Sequence, residues 1–189
     1  LDDEVPSELI RIWIAPTGSV TAPFNPWWLG VQRVPPEYRQ HRYRTKDAGS
    51  TFLNPDYQLQ EGTEFAGRLF KRLMYLTCKR PETFREPVQE KLRAFEHESM
   101  TRVQWVESAA ATLLDEGKTD EAHKLLTMVA NERATEALEL GRTLVDWLDT
   151  HYKLEDAIDS PTGSINHESG PTVNCFPDGN PDRAASESD

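Results

Sequence analysis

Long apolar runs are missing from this chain. None approaches the roughly 20 residues that cross a bilayer, which excludes an integral membrane protein, and no secretory signal is expected either. Cysteine is scarce. Cys78 and Cys175 are the only two, too few for a disulfide scaffold or a four-ligand zinc site. Two free or buried thiols are the expected state, with one structural bridge as the alternative. Basic charge is short too. Lys plus Arg number 21 against 32 Asp plus Glu, a net charge of −11. That field repels phosphate backbones, so a general nucleic-acid binder is not expected. Nor are there signatures of common catalysts: no phosphate loop, no Gly-x-Gly-x-x-Gly, no His-Glu-x-x-His and no nucleophile elbow.

What is present is large rings and long helical patterns. Five Trp, five Tyr and seven Phe in 189 residues supply a real core, yet hydrophobic residues make up only 37%. That share is low for a self-contained domain. Three zones follow one another: residues 1–61, rich in Pro, Gly and aromatics; residues 62–153, helical in pattern; and residues 154–189, a polar acidic tail. The tail has few apolar anchors and is expected to extend along a partner.

In the first zone, Leu9 to Ala15 reads as a strand. Ile10, Ile12 and Ile14 share one face, and the other face is also largely apolar, as in a strand covered on both sides. One strand is not a sheet, so its partners are expected from another chain or a preceding segment. Residues 16–30 hold three prolines and two glycines besides Phe24, Trp27 and Trp28, which reads as a loop that either plugs a core or lines a pocket. Residues 33–46 interleave Arg33, Arg39, His41, Arg42, Arg44 and Lys46 with Tyr38 and Tyr43. In so acidic a chain these cations are expected to meet carboxylates of the same assembly.

In the second zone, Gly62 to about Lys79 carries a stripe of Phe65, Leu69, Leu73 and Leu76. Pro81 interrupts, and Thr83-x-x-Glu86 reads as a capping box opening a long helix. Val88, Leu92, Phe95, Val103, Val106, Ala110 and Leu113 mark its buried side, and Gly117 stops it. A third helix runs from near Thr119 to about Tyr152, and the short break makes the pair an antiparallel hairpin. His97, between Glu96 and Glu98, makes no ligand set, because neighbours on a helix diverge by about 100°. No metal site and no cofactor are expected. Glu132, Glu136 and Glu139 read as a solvated face with Arg133 and Arg142 as partners.

The order of several soft motifs resembles one family. Arg11-Ile12-Trp13-Ile14-Ala15, then Thr21 to Gly30, then Val34-Pro35-Pro36-Glu37-Tyr38 resemble the C-terminal half of the dipeptidase/secernin-type family of N-terminal nucleophile hydrolases. Leu92 to Glu98, Glu121 to Thr127, Asn131 and Ala134 to Leu138 resemble the helices that follow in that family. The likeness covers roughly residues 9–150. It implies an α+β fold: the C-terminal part of an αββα sandwich, mostly helical, with a long helical hairpin and few strands. It also implies hydrolysis of an amide bond by an N-terminal nucleophile.

No catalytic residue carries over, since Leu1 is no nucleophile and Cys78 sits in mid-helix. The resemblance therefore implies a small subunit whose larger partner carries the N-terminal nucleophile and whose substrate is a dipeptide or other linear amide. An internal cleavage would account for a chain that starts at Leu1. Thr17, Ser19, Phe24, Asn25 and Trp27 are the candidate pocket residues, with a packed loop as the alternative role. A non-catalytic interaction subunit on a hydrolase-derived scaffold is the alternative function.

Overall fold

The computed structural model describes residues 5–39 and 65–159, with side chains described as far as residue 154. The fold is mostly helical with a small antiparallel sheet. A single turn of 3-10 helix (Ser7–Leu9) leads into β1 (Arg11–Ile14); β2 (Asn25–Trp28) and the short α1 (Pro36–Arg39) follow. The long helices are α2 (Ala66–Lys79), α3 (Pro81–Asp115) and α4 (Thr119–Asp159).

The α3–α4 hairpin is the spine. Its turn closes at Gly117, whose φ of 72° suits a residue without Cβ. Gly117 N–H donates to Leu114 O and Lys118 N–H to Leu113 O, satisfying the last carbonyls of α3. The start of α3 differs from the capping-box expectation. The helix already begins at Pro81, with Arg80 as its N-cap and no side-chain cap. Proline suits this first position because its missing N–H would have had no helical partner, so Pro81 opens the helix rather than interrupting it. Thr83 and Glu86 lie inside the helix as a consequence. Phe65 caps α2 rather than joining its stripe, and α4 runs on to Asp159, beyond the expected end near Tyr152.

Two apolar clusters line the hairpin. At its open end, Leu69, Phe70 and Leu73 of α2 pack with Phe84, Val88, Leu92 and Phe95 of α3 and with Leu138, Leu144, Val145 and Leu148 of α4. Gly141 lets α2 and α4 approach closely; a Cβ there would stand 2.8 Å from Phe70 Cε1. At the closed end, Val103, Val106 and Ala110 meet Ala122, Leu126, Val129 and Ala130, and Trp28 covers them from the sheet. Burying such side chains stabilises by about 1.5–3 kcal/mol each, so the hairpin and its two flanking elements hold each other in place.

The sheet corrects the expectation of a strand without a partner in its own chain. β1 pairs antiparallel with β2, with Arg11 opposite Trp28, Ile12 opposite Trp27, Trp13 opposite Pro26 and Ile14 opposite Asn25. The prolines that argued for a loop are accommodated by the register. Leu29 N–H donates to Ile10 O, so even-numbered β1 residues turn their backbone groups toward β2. Trp13 and Pro26 then form a pair that exchanges no hydrogen bond, and the missing N–H of Pro26 costs the ladder nothing. The expectation of a strand covered on both faces also fails within this chain: Ile10, Ile12 and Ile14 are 47–48% exposed.

The thiol expectation changes as well. Cys78, nearly buried at the end of α2, is disulfide-bonded rather than free. The chain's other cysteine, Cys175, lies outside the described residues, as do Arg42, Tyr43, Arg44 and most of the acidic tail.

Candidate functional site

The segment from β1 to α1 runs along the hairpin, with Ala22 in the open-end cluster and Trp28 in the closed-end one, and carboxylates on α3 fasten it. Glu107 accepts from Arg11 Nη1 at 2.5 Å and from Trp28 Nε1 at 2.8 Å, tying both strands to one side chain. Arg11 and Trp28 stand directly opposite each other across the two strands and so share a face, where a single acid reaches both. Glu96 accepts the Phe24 N–H at 3.0 Å. Glu98 turns away to Arg102 and Arg133, so the acids flanking His97 serve different elements.

The candidate pocket residues fall into two groups. Asn25 and Trp27 meet at Tyr38. Asn25 Nδ2 lies 3.5 Å from the Tyr38 hydroxyl, and the Trp27 and Tyr38 rings stand 5.7 Å apart at 59°. Tyr38 in turn donates to Ala134 O on α4 at 3.0 Å. Burial pushes the Tyr38 phenol well above its ordinary value, so it stays protonated and remains a donor. Ser19 and Phe24 instead face solvent, and Phe24 joins the site only through its backbone. Thr17 is half-buried, with its hydroxyl turned inward.

Along the chain, four buried side-chain oxygens have no hydrogen-bond partner among the described residues: Thr17 Oγ1, Thr21 Oγ1, Asn25 Oδ1 and Asn131 Oδ1. An unmatched buried oxygen costs about 1–3 kcal/mol, which an ordered water can offset. Hydroxyls both donate and accept, and an amide carbonyl accepts an N–H. Among the described residues no three metal-ligating side chains come together, and Cys78, held in its disulfide, offers no thiolate.

Sequence reasoning missed Tyr38, Glu96 and Glu107, which organise this region. Tyr38 closes the Val34-Pro35-Pro36-Glu37 run, and that rigid turn was the available signal. Glu96 and Glu107 carried none, because an acid on a long helix looks the same whether or not it reaches a strand. The greatest surprise is Arg133, grouped with a solvated face yet only 1% exposed. It lies between the two apolar clusters of the hairpin. Its guanidinium stands 3.9 Å from the Phe95 ring centroid, with donations to Ser99 Oγ, Phe95 O and Glu136.

Compared with protein-family profiles, with curated proteins and with solved structures, the chain matches none of them.

Proposed function

We propose that this chain is the small subunit of a heteromeric amide-bond hydrolase of the N-terminal nucleophile type. A larger subunit supplies the nucleophile, and the substrate is a dipeptide or other linear amide. The observation that supports the reading is Asn25, fully buried with its Oδ1 unmatched; Thr17 and Thr21, in the connection between β1 and β2, also carry unmatched hydroxyl oxygens. Groups of this kind recognise the N–H and C=O of an amide. The partner's N-terminal side chain attacks the carbonyl carbon, its proton leaves with the departing amine, and water then releases the acid.

The test is purification of the chain with its associated subunit, N-terminal sequencing of both, and assay against a panel of dipeptides. The reading expects an N-terminal Cys, Ser or Thr on the partner. It also expects kcat/KM to fall in Asn25→Ala with the complex intact. A partner with no such terminus, or unchanged turnover in Asn25→Ala and Thr17→Ala, refutes it. A second reading, a non-catalytic interaction subunit, draws on the solvent-facing Ser19 and Phe24. Unchanged turnover in those substitutions, within an intact complex, supports it.

A further inference from the structure

We infer that β1 is a self-pairing edge, on which a second copy of this chain adds its own β1 in antiparallel fashion. The two-stranded sheet has two outer edges, and they differ. On β2, Pro26 stands opposite Trp13 with its nitrogen outward and gives no donor, and the outward Trp28 O is already taken by Val31 N–H, so that edge is a poor template for a further strand. On β1, the even-numbered residues face β2. The N–H and C=O groups of Arg11 and Trp13 therefore point outward, with no backbone partner among the described residues. Sheet growth is favoured on the β1 side.

The side chains on that edge are self-complementary. Ile10 and Ile14 stand symmetrically about Ile12, with Arg11 and Trp13 between them. A two-fold axis through Ile12 places Ile12 against its own copy, Ile10 against Ile14 and Arg11 against Trp13. Arg11 and Trp13 are the residues with outward backbone groups, so this register makes four interchain hydrogen bonds. It also joins two half-exposed isoleucine rows into one cross-strand row.

Charge agrees. Neither strand carries a carboxylate, in a chain of net charge −11, and each Arg11 is already neutralised by Glu107. Copies can therefore meet here without bringing acids face to face. The contact is narrow, below the roughly 800 Å² per partner of a standard interface, so the dimer is weak and depends on concentration.

The register gives a sharp test in the full-length chain. Ile12 faces its copy in a non-hydrogen-bonded pair, where Cα atoms lie about 4.5 Å apart, within the range a disulfide bridges. Ile10 and its copy are offset by four residues, about 13 Å at the rise of an extended strand. Mild oxidation should link Ile12→Cys into dimers and leave Ile10→Cys at the wild-type background. Sedimentation should show a wild-type monomer–dimer equilibrium, and hydrogen exchange should show Arg11 and Trp13 amides slowing as concentration rises. Ile12→Lys, whose helical circular dichroism serves as the folding control, should lose the dimer. A wild-type monomer at all concentrations, or equal linking of both cysteine variants, overturns the inference. So does protection of those two amides only when a larger subunit is bound, which would give the edge to a different strand. None of these outcomes bears on whether the complex hydrolyses amides.

Discussion

Removing the acids beside Arg133 should harm the fold more than removing Arg133 itself. Burial depresses the pKa of this guanidinium, while Glu136 and Glu98 act in the opposite direction and keep the charge tolerable. In Glu98→Gln/Glu136→Gln the cation stays buried without a counter-charge. Breaking a fully buried pair costs about 3–5 kcal/mol. Both carboxylates are partly exposed, at 55% and 33%, so solvent screening brings the expected loss to about 2–3 kcal/mol.

Arg133→Met strands nothing. Ser99 Oγ keeps its bond to Phe95 O, and both acids keep Arg102. A thioether of similar length can still contact Phe95, so the cost should stay below about 1.5 kcal/mol. Urea unfolding followed by far-ultraviolet circular dichroism measures both. If Arg133→Met loses more stability than the double glutamine variant, the guanidinium is itself a net stabiliser of the hairpin and the reasoning is wrong.

Two further outcomes follow from close packing and from burial. Gly141→Ala gains helix propensity of up to about 1 kcal/mol, but its Cβ would stand 2.8 Å from Phe70 and 2.9 Å from Leu69. Overpacking outweighs the gain, and thermal melting should report a net loss of about 1–2 kcal/mol. Tyr38 has a raised folded-state pKa, so its contribution is complete below the ordinary phenol value of about 10. Above that pH the unfolded chain ionises first and stability falls. Tyr38→Phe should flatten this alkaline limb in pH-dependent unfolding, and an unchanged limb would show that the phenol is not buried in solution.

The helical half of the fold was legible in the sequence because a helix buries a stripe of fixed period. Val88, Leu92, Phe95, Val103, Val106 and Ala110 announced the inner face of α3, and Gly117 its end, without knowledge of what lay opposite. The strand at residues 9–15 was legible for the same reason. Its partner was not. Asn25–Trp28 becomes β2 only because Pro26 falls at a position that makes no ladder bond, and register is a property of two segments rather than one.

The candidate site divides along the same line. Asn25 and Trp27 stood out as candidate pocket residues in a proline-rich run, yet only the tertiary structure buries Asn25 and brings both to Tyr38. Local periodicity depends on neighbours three or four residues away, and composition sets charge and core size, so the sequence alone determined these. Arg133 was decided by residues some 34 positions distant, since Ser99 and Phe95 reach it only once the hairpin has closed. The same closure brings Glu107 to the sheet, where one carboxylate answers both Arg11 and Trp28.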